Sequence, residues 1–166
     1  RLDGVTGVQT CALPIFWYQG NGAVDVVADV DFDADVDRDR SVILYGNSAT
    51  NAAWKVLLAE SPIQVRRSIV QIGKQLLRGD DLAALFIRPR PGSDQACVAV
   101  ISGTAPGGMR LTNNLPYLYA GAAFPDFTVL NSAVLNGKDG GVVAAGFFDS
   151  RWNLEKADMI LPAQKK

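Results

Sequence analysis

Hydrophobic and polar positions alternate in short blocks along the chain. The segment 22–32, "GAVDVVADVDF", alternates loosely and reads as a short strand before an Asp-rich connection. "SVILYGN" (41–47) is a compact β-branched and aromatic run, expected to be a buried strand ending at Gly46-Asn47. "SATNAAWKVLLAES" (48–61) follows with Ala53, Val56, Leu57 and Glu60 at helical spacing, and Thr50 or Asn47 is suited to cap that helix. "PIQVRRSIVQIGKQLLRG" (62–79) reads as a strand, "IQVRR", and a hairpin-like excursion around Gly73. "DLAALFIRPRPG" (81–92) is a strand closed by Pro89, Pro91 and Gly92.

The most strand-like segment is "ACVAVISG" (96–103), followed by a Gly/Pro-rich loop, "TAPGGMRL". "TNNLPYLYAGA" then predicts a helix with Leu111, Leu115, Leu118 and Ala122 on one face, with Pro116 acceptable in its first turn. "DFTVLN" and "GVVAAGFFD" supply two more strands. This order predicts an α/β fold: a Rossmann- or flavodoxin-like three-layer domain with a mostly parallel sheet and a β-hairpin excursion. The expected organisation is an Asp-rich lead-in (16–40), the α/β domain (41–157) and a disordered tail (158–166).

Composition narrows the chemistry. A chain of 166 residues, 48% hydrophobic and 20% charged, is long enough for one domain with a sizeable core. A net charge of −1 gives no electrostatic footprint for nucleic acid or an anionic membrane, and neither is expected as a partner. No apolar run approaches the roughly 20 residues of a membrane-spanning helix. The chain has no histidine, which removes the usual base of a Ser-His-Asp or Cys-His triad and any histidine-ligated zinc. Its two cysteines, Cys11 and Cys97, make neither a disulfide framework nor a thiolate cluster.

Three stretches are candidate sites. The ladder Asp29, Asp31, Asp33, Asp35, Asp37 and Asp39 offers hard oxygen ligands, but Ala34 and Arg40 stand where an EF-hand needs glycine and glutamate. A solvated acidic loop partly neutralised by Arg38 and Arg40 is the expectation, with no metal and no cofactor. "SGTAPGGMR" (Ser102, Gly103, Thr104, Gly107 and Gly108 among its residues) has the backbone N–H groups of an anion cradle. Gly103 and Gly108 have Walker spacing, yet Met109 occupies the lysine position, and a tight turn needing small residues explains the stretch equally. "YGNSATNAAW" places Asn47, Ser48, Thr50 and Asn51 at the carboxyl end of a strand, where open α/β sheets bind ligands; helix capping is the simpler account. If the strands are adjacent, both loops and Asp149 share one rim.

No catalytic residue is assigned. Ser48 and Ser102 lie outside any G-x-S-x-G pattern, S-x-x-K is absent, and neither serine has a conventional activating base.

Two further features concern origin. Back-translated in one frame, "VTGVQTCALPI" (5–15) fits a common short-read sequencing adapter, so residues 1–15 are set aside from fold reasoning and the natural sequence is expected to begin near Phe16. From Phe16 to about Glu155 the chain resembles the C-terminal region of large bacterial prolyl-oligopeptidase-like α/β-hydrolases. The residues carrying the likeness are "FWYQGNGAVDVVADVDFD", "DRDRSVILYGNSATNAAW", "SPIQVRRSIVQIG", "GDDLAALFIRPRPGSD", "SGTAPGGMRLTNNLPYL" and "GVVAAGFFDSRWNLE". The resemblance implies that the intact protein is a serine hydrolase, a peptidase or esterase, with its catalytic α/β-hydrolase domain upstream and the present piece a non-catalytic accessory domain packed against it; the compartment of the parent is left open. It carries no triad residue over, and Ser48-Ala49 departs from the acidic residue typical before Thr-Asn. The alternative reading is a small-ligand or anion-binding module. A bare domain cut from its partner is expected to show apolar patches.

Overall fold

The computed structural model describes residues 24–117, 123–137 and 140–162. The segment 5–15, Phe16, Leu118, Ala122 and the last four residues of the tail lie outside them.

Two sheets carry the structure. Strands β1 (Val42–Tyr45), β5 (Ala83–Pro89), β6 (Cys97–Gly103), β7 (Phe127–Leu130), β8 (Val142–Phe147) and β9 (Asp158–Ile160) form a six-stranded sheet in the order β1-β6-β5-β7-β8-β9. Strands β2 (Ile63–Arg66), β3 (Ile69–Ile72) and β4 (Gln75–Arg78) form a separate antiparallel meander. The helices are short: α1 spans Trp54–Leu58 and α2 spans Pro106–Leu111.

This is not a Rossmann- or flavodoxin-like three-layer domain. Among the described residues of the six-stranded sheet only β1 and β6 pair in parallel, and every other pairing is antiparallel. Helices of one to two turns cannot cover both faces of such a sheet, as a doubly wound fold requires. The long helix expected at 48–61 shrinks to α1 because two asparagines turn the backbone before it. Asn47 Oδ1 accepts from Ala49 N (3.0 Å) and Asn51 Oδ1 from Ala53 N (3.0 Å), local bonds that compete with helix. The second helix starts earlier than its apolar spacing suggested. Pro106 opens α2 inside the presumed loop, and Leu115 beyond it is extended.

The stretch 62–79 holds three strands rather than one strand and an excursion. Ile63, Val65, Val70, Ile72 and Leu77 point one way and are buried, as period two demands. Two-residue turns join the strands, with Ser68 (φ 60°) and Gly73 (φ 56°) in the left-handed conformation. Segment 24–32 forms no strand among the described residues. Residues 158–160, assigned to a tail from sequence, pair with β8 as an edge strand.

The main core lies between one face of the six-stranded sheet and the meander, with α1 at its side. Leu44, Phe86, Val98, Val100, Phe127, Val129 and Ala144 meet Ile63, Val65, Val70, Ile72, Trp54, Leu57 and Leu58 there. We call this the closed face. Among the described residues the opposite face is covered at one end, where Ala83, Leu111 and Leu130 cluster with Leu115 and Val134.

Candidate functional site

The parallel pairing of β1 and β6 puts both polar loops at one rim. Asn47, at the end of β1, is 6% exposed and donates from Nδ2 to the Gly103 carbonyl at the end of β6 (2.8 Å). Its backbone N donates to Thr50 Oγ1 (3.0 Å). Asn51 Nδ2 donates back to the Tyr45 carbonyl (3.0 Å). Ser48 and Thr50 are exposed, and the Ser48 N–H donates to Val65 O (2.9 Å), tying the loop to the meander.

The Gly-rich loop is held as closely. Thr104 is 1% exposed; its N–H donates to Leu82 O (3.0 Å) and its hydroxyl accepts from Leu82 N (3.2 Å). The Gly108 N–H points at Asp80 O (3.4 Å). The glycines have a packing reason. A Cβ on Gly103 would lie 2.2 Å from Met109 N, and one on Gly108 would lie 2.0 Å from Leu82 O. These contacts let α2 seat directly on the ends of β5 and β6. A Cβ on Gly107 meets only ordinary contacts, and that residue is exposed. Ser102 is fully buried on the closed face, and its Oγ has no hydrogen-bond partner among the described residues.

Asp149 does not join this rim. It follows β8, which runs opposite to β6, so it sits at the other end of the sheet. There its Oδ1 accepts from Arg151 N and Asn153 N, both at 2.9 Å. Backbone N–H donation, led by Asn153, holds this carboxyl below the usual aspartate range.

The Asp ladder is pinned by a residue the sequence reading passed over. Arg90, 3% exposed, donates to the carbonyls of Ala34 (3.0 Å), Val36 (3.1 Å), Asp37 (2.8 Å) and Arg40 (2.6 Å). Arg40 pairs with Asp25 (2.7 Å) and Asp37 (3.4 Å), Arg38 pairs with Asp35, and Asp39 accepts from Ser93 Oγ (2.6 Å). The carboxylates diverge onto separate partners. Among the described residues no group of three or more acidic or cysteine side chains is arranged to hold a metal ion. The available signal was "RPRPGSD": an arginine between two prolines, unable to sit free in a buried strand end.

Tyr45 and Tyr117 also escaped notice. Burial pushes the Tyr45 phenol far above its ordinary range, and its neighbour Tyr117 is raised mainly for the same reason.

No protein-family model matches the chain, and no solved structure matches it. An uncharacterized secreted protein of Arthroderma benhamiae is 34% identical over 79 residues, a match covering 48% of this chain and 8% of that protein. The chain thus spans a small part of the relative's length. These findings overturn the resemblance to prolyl-oligopeptidase-like hydrolases: the match is to a fungal secreted protein, and the fold is sheet-rich. The Rossmann-like and serine-hydrolase descriptions fall with it.

Proposed function

We propose that the chain is a non-catalytic accessory domain of a longer secreted polypeptide, docking to its neighbour through the open face of the six-stranded sheet. The observation that carries this reading is a set of exposed apolar side chains on that face, with Asp126 and Asp158 between them. Ile87, Phe147 and Ile160 are 36%, 52% and 75% exposed. They lie on one side of the sheet: Ile87 N bonds to Asp126 O beside Phe147, and Ile160 pairs with Ala145 two residues from Phe147. Large apolar side chains grouped on one face mark an interaction surface, whereas scattered ones do not. The secreted relative, in which the matched segment is 8% of the length, supports membership of a longer chain.

The rim is the weaker basis for function. Asn47, Asn51, Thr104 and Gly108 direct their polar groups to partners within the chain. A ligand there would have to displace those bonds.

The test is binding of an apolar fluorescent dye to the native chain, compared with the double variant Phe147→Glu, Ile160→Glu. The native chain is expected to bind dye, and the variant to lose most of that signal with an unchanged unfolding temperature. A native chain that leaves the dye dark, or a variant as bright as the parent, overturns the reading.

A further inference from the structure

We propose that the outward face of the β2–β4 meander docks an acidic peptide segment interspersed with apolar residues. This surface lies on the opposite side of the molecule from the open sheet face, and the inference goes beyond the accessory-domain reading without depending on it.

The register builds the surface. Arg66 on β2 pairs with Ile69 on β3, which pairs with Arg78 on β4, so the three side chains form one outward row. The next row is Gln64, Gln71 and Leu76. Arg67, in the turn between β2 and β3, adds a third guanidinium at the same end, and Lys74 stands in the other turn. Residues 63–78 contain these four cations and no acidic residue. Arg66, Arg67, Lys74 and Arg78 are in no ion pair among the described residues.

Every other described arginine except the exposed Arg110 is engaged. Arg38, Arg40 and Arg151 pair with carboxylates, Arg90 holds four carbonyls, and Arg88 donates to the Trp152 carbonyl while lying over the Phe148 ring. The nearest acidic residue in sequence, Asp80, accepts from Ser68 Oγ. No carboxylate stands between Arg66 and Arg78 in this row to neutralise them.

Geometry and charge favour a peptide. Arg66 and Arg78 are two strand spacings apart, about 10 Å, and carboxylates at alternate positions of an extended peptide repeat every ~7 Å. Long arginine arms bridge that difference. Ile69 between the guanidiniums and Leu76, 44% exposed, offer apolar contact that a phosphate backbone cannot use. With a net charge of −1 the chain has no overall cationic field to gather long polyanions, while the local cationic patch attracts a short acidic segment.

The probe is a fluorescein-labelled peptide alternating Asp and Leu, titrated with the full chain at low salt and followed by anisotropy. Binding should weaken about tenfold or more in Arg66→Glu, Arg78→Glu, and severalfold in Ile69→Ser, with unfolding temperatures unchanged. Phe147→Glu, Ile160→Glu should bind the peptide like the parent, which separates failure here from failure of the open-face reading. No peptide binding, or binding indifferent to Arg66→Glu, Arg78→Glu, overturns the proposal. Tighter binding of labelled oligothymidylate, unaffected by Ile69→Ser, overturns it too and assigns the face to polyanion backbones.

Discussion

The two faces of the six-stranded sheet are built from the same strands, with alternate residues of each going to opposite sides. On the closed side Phe86, Phe127 and Val129 meet a second sheet whose own inward residues, Ile63, Val65 and Val70, are fully buried. On the open side α2 and the turns after it cover Ala83 and Leu130, while Ile87, Phe147 and Ile160 meet water. Alternation alone cannot tell these sides apart, since both are rich in apolar residues. What differs is the covering layer, and hence the free energy each side chain contributes.

The comparison is broken most directly by one substitution on each face. Phe127→Ala should cost about 3–5 kcal/mol, because it opens a cavity between two sheets that cannot collapse onto it. Phe147→Ala should stay within about 0.5 kcal/mol, as its ring is already half in solvent. Denaturant unfolding of the two variants checks both figures, and equal losses would mean that the open face is covered in solution. Next in size is Gly108→Ala, expected to cost about 3 kcal/mol by driving a methyl into the Leu82 carbonyl. It should unseat α2 and expose Ala83 and Leu130, extending the open face towards the rim. Hydrogen exchange at Met109 N, which donates to Ala105 O, reports that loss directly.

The smallest effect is a pH dependence at the border between covered and open surface. Burial favours the neutral Tyr45 phenol in the folded chain and raises its pKa. Stability from this group is therefore complete below the unfolded tyrosine pKa of about 10 and falls as pH rises above it, when the unfolded phenol ionises first. Tyr45→Phe should flatten that alkaline decline, with Tyr117, also raised, leaving a residual slope. Unfolding temperatures measured on either side of that pH decide it.

Strands were legible at "SVILYGN", "ACVAVISG", "DFTVLN" and "GVVAAGFFD", each a β-branched or aromatic run closed by turn residues, but not at "SIVQIG", and "GAVDVVADVDF" forms none among the described residues. Helices were not legible. Apolar spacing at 48–61 matched a helix, but the side-chain turns of Asn47 and Asn51 won locally, and Pro106 started α2 inside a glycine-rich stretch of low helix propensity. Of the candidate residues, the Asn47 and Gly103–Gly108 loops do meet. Asp149 lies at the far end, because strand direction follows pairing order and the assumption of a parallel sheet reversed β8. Arg90 stayed hidden because its four acceptors are backbone carbonyls, which leave no mark in sequence.

By itself the sequence determined the alternation of each strand, the absence of imidazole chemistry and the concentration of carboxylate ahead of β1, since these are local properties of residue type. Strand order, the covering of one face and the outward arginine row were decided only by tertiary structure. Each depends on which segments distant in the chain come together, and the side-chain period of two is the same whichever neighbour a strand finds.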